Sequence, residues 1–169
     1  QARIIAIEPG RTNCAFLSRN ILTNGLSNVA IVPSACGGKK GEGTLYGREE
    51  GVHYSLFNRN WRGSQFSRLY EIGIVTLQDV FDQFEVSTCD LLKIDCEGAE
   101  YDILFGSSPD TLRIIKRISM EYHVGFNEHS IEALEQFLVH HGFVVKRSPL
   151  DVEEGTGMLY ALNQASSPS

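Results

Sequence analysis

The sequence predicts an α/β domain in which helices cover both faces of a mostly parallel sheet. One supporting observation is that strand-like and helix-like segments alternate along the chain. Another is that the first strand-like segment is apolar on both sides, as strands buried in parallel sheets are. The 169 residues, 42% hydrophobic and 21% charged, fit one domain over residues 1–163, followed by a polar tail at residues 164–169.

The chain begins with the pattern of a strand, a helix and a second strand. Residues 3–7 are apolar and rich in β-branched side chains, and Glu8-Pro9-Gly10 ends the run. Apolar residues at helical spacing follow. Gly25 then stands where the end of a helix requires a left-handed residue. Residues 28–33 form the next predicted strand.

A long segment at residues 39–70 differs from its surroundings, because it is rich in Gly, Arg and Asn and has no helical period. It predicts an irregular or hairpin-bearing insertion that acts as a flap. Long insertions of this kind are usually functional or disordered. Within the flap, Arg59, Trp61 and Arg62 could clamp an anionic or sugar-like substrate by charge and stacking. A solvated loop with one anchoring tryptophan is the competing interpretation.

Regular patterns return after the flap. Thr76 and Asp79 have the spacing of a capping box and begin a predicted helix. A predicted strand at residues 90–94 leads into an acidic segment. The later predicted elements are a short helix at 101–104 closed by Gly106, a strand at 117–122, a helix at 131–141 ended by Gly142, and an antiparallel pair of strands at 143–146 and 158–162.

Composition and charge exclude several functional classes. The net charge of −6 and the pI of about 5.3 argue against a protein that binds nucleic acid through its phosphates, which requires a basic surface. No apolar run approaches the roughly 18 residues of a membrane span. The four cysteines contain no CxxC pair and are predicted to be free thiols in a reducing compartment, which indicates a cytoplasmic protein. No pattern indicates an oligomeric state.

Glu8 is the first candidate site residue, because it follows directly on the first predicted strand. A carboxylate there can accept hydrogen bonds from both hydroxyls of a ribose, as in dinucleotide sites. The competing interpretation is an acid that stabilises the positive end of the following helix. The sequence by itself favours neither.

The segment from residue 93 to residue 100, Lys-Ile-Asp-Cys-Glu-Gly-Ala-Glu, is the most distinctive candidate. Three carboxylates lie between the end of a strand and the start of a helix, beside a glycine that permits close backbone approach. Capping of the helix explains some of these acids. Three together exceed what a cap requires, so we predict a site role for Asp95 or Glu97.

Glu121 and His123 end the next predicted strand and lie on the same side of it. A carboxylate beside an imidazole can bind a metal, or it can orient the imidazole as a base. A salt-linked pair with a structural role is the competing interpretation. Asp95 and Glu97 could join them in a divalent metal site, but nothing in the spacing demands one. We therefore predict no metal.

Several segments, taken in order, carry a resemblance to a known family. They are residues 5–9, 17–29, 75–77, 90–106, 118–121 and 142–143, of which the Lys-x-Asp-x-Glu-Gly-Ala-Glu run at 93–100 is the most specific. Together they resemble the FkbM family of S-adenosylmethionine-dependent methyltransferases. The resemblance extends over nearly the whole chain, from about residue 3 to residue 162.

The resemblance implies a Rossmann-like class I methyltransferase sheet in a three-layer α/β/α arrangement, with a C-terminal antiparallel hairpin. It implies S-adenosylmethionine as the cofactor, with Glu8 at the ribose. Ser34 and Ala35 would lie near the adenine, and Asp95 would face the methionine part. Members of the family methylate hydroxyl oxygens, so the implied acceptor is a small molecule or a sugar.

The sequence departs from the family pattern in one respect. A strand with an Asp-x-Gly-Ala-Asn-x-Gly type loop precedes the Glu-Pro strand in the family, and it is not among these 169 residues. The first βα unit is therefore predicted to be missing. That strand would lie between the strands that end at Glu8 and Asp95.

Three functional hypotheses follow. The first is O-methylation, in which His123 or Glu97 accepts the proton of the hydroxyl and Glu121 orients the imidazole. The second is a truncated, non-catalytic scaffold or binding module, which the missing glycine loop favours. The third is a metal-dependent enzyme that uses the carboxylate cluster.

Overall fold

The computed structural model shows a mixed α/β fold and describes residues 2–47, 54–58, 60–61, 64–125, 128–151 and 155–166. Its elements, in chain order, are β1 (Ile4–Ile7), α1 (Arg11–Thr23), β2 (Val29–Val32), β3 (Ala35–Cys36), β4 (Gly41–Gly47), β5 (Tyr54–Ser55), β6 (Asn60–Trp61), β7 (Ser64–Gln65), β8 (Ser67–Val75), α2 (Leu77–Gln83), β9 (Leu92–Ile94), α3 (Glu100–Phe105), α4 (Pro109–Arg113), β10 (Arg117–His123), α5 (Ile131–His140), β11 (Phe143–Asp151) and β12 (Thr156–Asn163). A short 3-10 helix, Gln164–Ser166, follows β12 in the segment predicted to be a polar tail.

The strands form mixed sheets rather than one mostly parallel sheet. β1 pairs with β2 in parallel, and β9 pairs with β10 in parallel. β12 lies antiparallel to both β10 and β11, which gives the predicted C-terminal antiparallel pair. A third group has the order β3-β8-β4-β5, in which only the β3-β8 pair is parallel. The three-layer Rossmann-like arrangement stays a prediction.

The departure from a parallel sheet comes mainly from the predicted flap. Strands β4 and β8 form a long antiparallel ladder from Gly41 opposite Ile74 to Gly47 opposite Ser67, with a register shift after Leu45. Regular antiparallel structure therefore extends well into the segment predicted to be irregular or hairpin-bearing. Its glycines and charged residues interrupt the alternation of apolar and polar side chains that identifies a strand.

The buried core lies in the part of the chain from α2 onward. Burying apolar side chains is the main favourable contribution to folding, so this part carries most of the stability. Helix α5 packs three buried residues against this core, and β10 and β12 supply the sheet beneath it. The largest fully buried side chains of the core include Tyr101, Leu104, Leu112, Ile115, Ile118, Met120, Leu134, Leu138 and Leu159.

Local sequence signals explain the helix ends. The predicted capping box is confirmed, because Thr76 accepts the backbone N–H of Asp79 while the Asp79 carboxylate accepts the N–H of Thr76. Helix α4 was not predicted, although Ser108 caps it and Pro109 occupies its first turn, which are both recognisable start signals. Gly142 ends α5 with a φ of 85°, as its position predicts.

The β1–α1–β2 region is attached to the rest of the protein chiefly by side chains. Within the described ranges, no backbone ladder joins β1 to β9. Arg3 donates to the carbonyl of Phe84 at 2.7 Å, and the guanidinium of Arg11 lies 4.2 Å from the centre of the Tyr70 ring. The two parallel pairs are therefore separate pieces of sheet.

No helix in the described part of the chain is long and apolar enough to cross a bilayer.

Candidate functional site

Two neighbouring parallel strands bring the predicted site residues together. Ile94 at the end of β9 lies opposite Met120 of β10, so Asp95 and Glu121 follow side by side. His123 is two residues farther along β10, on the same side of the strand as Glu121. The two segments chosen from the sequence therefore meet at the carboxyl edge of these strands, where open α/β sheets bind ligands.

His123 is buried and is held by a buried carboxylate. The imidazole side chain is 3% exposed and that of Glu100 is 0% exposed, and Nδ1 lies 2.8 Å from Oε1 of Glu100. An ionised carboxylate can only accept a hydrogen bond, so we assign the proton to Nδ1. This assignment directs Nε2 away from Glu100.

Glu100 was part of the acidic segment in the sequence but was given no site role there. Its Oε1 also accepts the backbone N–H groups of Cys96 and Gly98, both at 3.1 Å. It therefore fixes the loop between β9 and α3 as well as the imidazole. A signal for this role was present, because Ile103 and Leu104 follow at helical spacing and place Glu100 on the buried face of α3.

Two further carboxylates approach the other ring nitrogen. Nε2 of His123 lies 3.5 Å from Oε2 of Glu97 and 4.0 Å from Oε1 of Glu121. The sequence hypothesis assigned the orientation of the ring to Glu121. In the structure Glu121 faces Nε2 at this longer distance, and the close contact at Nδ1 belongs to Glu100.

The backbone that presents Glu97 is unusual. Glu97 has a φ of +50°, a left-handed conformation that few non-glycine residues adopt and that is found disproportionately at functional sites. The hydroxyl of Ser55 donates to the carbonyl of Glu97 at 2.8 Å. This hydrogen bond ties the loop to strand β5 and helps hold the strained residue in place.

The charge around His123 raises the pKa of its imidazole. Burial alone would lower that pKa, because it disfavours the charged ring. Burial is the largest single effect, but the hydrogen bond to Glu100 and the negative charges of Glu100, Glu97 and Glu121 together outweigh it. The site therefore attracts positive charge at the imidazole.

Asp95 forms the solvent side of the same site. It is exposed, and its Oδ2 lies 3.3 Å from the ammonium group of Lys93. One ligand atom from each of Asp95, Glu97 and His123 lies within 4.8 Å of the others. The site therefore extends from the exposed carboxylate of Asp95 to the buried pair of His123 and Glu100.

The residues expected to hold a nucleotide lie at the ends of β1 and β2. The backbone N–H groups of Glu8 and Ser34 both donate to the carbonyl of Val32, at 3.1 Å and 2.9 Å. Oε1 of Glu8 accepts the N–H of Gly10 at 2.6 Å. Ala35 is buried and begins β3.

Strand β5 connects the two groups of candidate residues. A Cβ atom on Gly10 would lie 2.3 Å from the Tyr54 ring, so only a glycine permits this approach of β5 to the end of β1. The next residue, Ser55, holds the carbonyl of Glu97. Neither residue of β5 was predicted to belong to the site, because the strand is short and lies within the predicted flap.

The proposed substrate clamp is described only in part. Trp61 belongs to the short strand β6, which pairs with β7, but its side chain lies outside the described part of the structure. Arg59 and Arg62 lie outside the described residues. Their role in substrate binding stays a prediction.

The cysteines near the site are free thiols. Burial raises the pKa of Cys36 to about 12, and burial together with the charge of Glu100 raises the pKa of Cys96 still further. Thiols with such pKa values remain protonated at neutral pH and are poor nucleophiles. The chemistry of this site therefore falls to its carboxylates and its imidazole.

Comparisons with known proteins agree with the resemblance seen in the sequence. A family model described as "Methyltransferase FkbM domain" matches residues 1–145. The fold is similar to a crystal structure of the methyltransferase FkbM from Methylobacillus flagellatus, with a TM-score of 0.58 and 16% sequence identity. The similarity covers 94% of this chain and 36% of that one, so this chain spans about a third of the length of its structural relative. No curated protein matches the sequence.

Proposed function

Because the chain belongs to the FkbM methyltransferase family, we propose that it transfers a methyl group from S-adenosylmethionine to a hydroxyl oxygen of a small molecule or sugar. The observation that carries this proposal is the buried pair of His123 and Glu100 at the carboxyl edge of β9 and β10. An imidazole there would serve as a proton acceptor near Asp95, the residue expected to face the methionine part of the cofactor. Strained backbone and clustered charge at one edge are typical of an active site.

The ends of β1 and β2 suit the ribose and adenine of the cofactor. Among the described residues, none donates a hydrogen bond to the second oxygen of Glu8, Oε2, which leaves an acceptor for a ribose hydroxyl. The turn at Ser34 and Ala35 lies beside it, and Asp95 would meet the methionine part. When bound, S-adenosylmethionine supplies an electrophilic methyl group on a sulfonium sulfur.

The protein must align the acceptor hydroxyl and remove its proton. Holding two reacting atoms in line can accelerate a reaction by several orders of magnitude. With the Nδ1 proton bonded to Glu100, Nε2 of His123 is the nitrogen that can accept the proton of the hydroxyl. Glu97 is 3.5 Å from Nε2 and is the alternative acceptor, and Glu121 adds negative charge at the same nitrogen.

The predicted clamp on the flap completes the proposal. Arg59, Trp61 and Arg62 would bind the acceptor molecule by charge and stacking. The contacts of Tyr54 and Ser55 bring the middle of this flap to both groups of site residues.

Transfer of a labelled methyl group from S-adenosylmethionine to a panel of hydroxylated metabolites and sugars tests the proposal. We expect His123→Ala to lower the single-turnover rate about 10²- to 10⁴-fold, the usual contribution of a general base. Asp90→Asn is the matched control, because Asp90 precedes β9 and bonds only Lys116 among the described residues. An unchanged rate in His123→Ala would remove the imidazole from the mechanism.

A non-catalytic scaffold is the second candidate, and one observation favours it. In the parts of the chain that the structure describes, the β1-β2 pair shares no ladder with the β9-β10 pair. A cofactor site divided between two separate pieces of sheet would be held less firmly. A scaffold would transfer no methyl group to any acceptor and would bind no S-adenosylhomocysteine.

A further inference from the structure

We propose that Asp95, Glu97 and His123 form a binding site for a divalent transition-metal cation such as Mn²⁺ or Zn²⁺. Each of the three offers one ligand atom, and these atoms lie within 4.8 Å of one another. Binding of a cation here goes beyond methyl transfer and does not depend on it. The set is two carboxylate oxygens and one imidazole nitrogen, which leaves further positions on the cation for water or substrate.

The spacing of the ligand atoms fits a shared cation. Oε2 of Glu97 and Nε2 of His123 are 3.5 Å apart, which is longer than the usual hydrogen bond of about 2.7–3.2 Å. Two ligands at about 2.1 Å from one tetrahedral metal ion are separated by about 3.4 Å. The two atoms therefore lie as two ligands of one ion would.

The surroundings of His123 are those of a metal-ligating histidine. Such a histidine usually donates its other ring N–H to a carboxylate, which fixes the tautomer and increases the basicity of the ligating nitrogen. Glu100 makes this contact with Nδ1 at 2.8 Å, and both side chains are buried. Nε2 is thereby directed toward Glu97.

A second and independent observation is a buried oxygen that lacks a partner. Oε2 of Glu100 accepts no hydrogen bond within the described part of the chain, although the side chain is fully buried. An unsatisfied buried carboxylate oxygen is costly unless positive charge lies nearby. This oxygen belongs to the residue that holds the ligating ring, so a cation at Nε2 would offset its charge through the imidazole.

The charges around His123 also favour a bound cation. Among the described residues, the carboxylates of Glu97, Glu100 and Glu121 lie within 4.0 Å of the His123 imidazole, and Asp95 contacts Lys93. A divalent cation would add positive charge among these carboxylates. Imidazole suits zinc, and carboxylates suit manganese, so this mixed set favours those ions over Mg²⁺, which prefers oxygen ligands and keeps its waters.

The cation would change what the site does with a hydroxyl group. A bound divalent ion stabilises a deprotonated oxygen directly, because it lowers the pKa of the water or hydroxyl that it holds. The proton would then leave to solvent on the exposed side of Asp95, and Glu97 and His123 would act as ligands.

Direct titration with MnCl₂, followed by the loss of the electron paramagnetic resonance signal of free Mn²⁺, tests the site. The protein is first treated with a chelator and then dialysed, and neither cofactor nor acceptor is present. We expect saturable binding by the unaltered chain, with ZnCl₂ as an effective competitor. His123→Ala and Glu97→Gln should each weaken binding at least about tenfold, since loss of even an outer-shell partner has an effect of that size.

Two further variants and a fold check make the outcome decisive. Asp90→Asn, an exposed acid at the other end of β9, should bind Mn²⁺ as the unaltered chain does. Glu100→Gln should weaken binding while all three ligands remain. Circular dichroism verifies folding, and Glu97→Gln, which alters a less buried side chain, carries the test if His123→Ala does not fold. Absence of saturable binding, or equal affinity in Glu97→Gln, would overturn the proposal, whether or not the chain transfers methyl groups.

Discussion

Helices α1 and α5 both carry apolar residues at helical spacing, yet their surroundings differ. α5 buries Ile131, Leu134 and Leu138 against the sheet. No residue of α1 is buried, and Phe16 and Leu22 are 57% and 80% exposed. The comparison shows that an apolar stripe predicts a helix but does not guarantee a surface that covers it.

The regions that contain the two helices also differ from each other. The β9–β12 region joins four strands in one sheet and holds the chemically distinctive residues His123 and Glu100. The β1–α1–β2 region is a parallel pair that carries Glu8 and shares no ladder with that sheet in the described ranges. Stability and proton chemistry therefore reside in one region, and the expected ribose contact resides in the other.

The largest loss of stability should come from breaking the buried pair of His123 and Glu100. We expect Glu100→Ala to lower the free energy of unfolding by about 3–5 kcal/mol, because it leaves the buried His123 without its partner. Glu100→Gln keeps an acceptor for Nδ1 and should cost less. Urea denaturation measures both variants. An Ala variant as stable as the unaltered protein would show that the pair does not support the fold.

Truncation of the core should have the next largest effect. Leu134→Ala removes a fully buried side chain from α5 and should lower the free energy of unfolding by about 2–5 kcal/mol. Thermal and urea unfolding both report it. A loss smaller than about 1 kcal/mol would contradict the placement of the main core beneath α5.

Loss of a helix cap should lower the free energy of unfolding by a smaller amount. Thr76 is the N-cap residue of α2, and Thr76→Ala should lower the free energy of unfolding by about 1 kcal/mol. Thr76→Ser keeps the hydroxyl that accepts the N–H of Asp79 and serves as the control. If the two variants lose the same stability, the effect comes from the missing methyl group and not from the cap.

The smallest effect should come from the uncovered helix. Phe16→Ala in α1 should change the free energy of unfolding by no more than about 0.5 kcal/mol. This loss is smaller than the loss expected for Leu134→Ala, even though phenylalanine is the larger side chain. Measured beside Leu134→Ala, it sharpens the contrast between α1 and α5. A loss for Phe16→Ala that equals that of Leu134→Ala would mean that another surface covers α1 in solution.

Much of the fold was predictable because its signals are local. The capping box at Thr76, the glycine at the end of α5 and the antiparallel C-terminal pair all depend on residues close together in the chain. The proximity of Asp95 and Glu121 was also predictable, since neighbouring parallel strands end at the same edge of a sheet. These features need little knowledge of tertiary contacts.

The features that were missed depend on contacts between distant segments. The role of Glu100 became apparent only when His123, 23 residues away, was placed against it. The ladder of β4 and β8 lacks the alternation that marks a strand, so its pairing partner and not its sequence pattern defines it. Ser55 reaches Glu97 across 42 residues, which no spacing rule reveals.

Calorimetric titration with S-adenosylhomocysteine tests most directly whether both regions form one cofactor site. We predict that the chain binds the ligand and that Glu8→Ala weakens binding about 10- to 100-fold, the effect of losing hydrogen bonds to a charged group. Glu42→Ala, an exposed acid on β4, is the control and should bind as the unaltered chain does. Absence of heat at millimolar ligand, or equal affinity in Glu8→Ala and Glu42→Ala, would contradict a cofactor site that includes the end of β1.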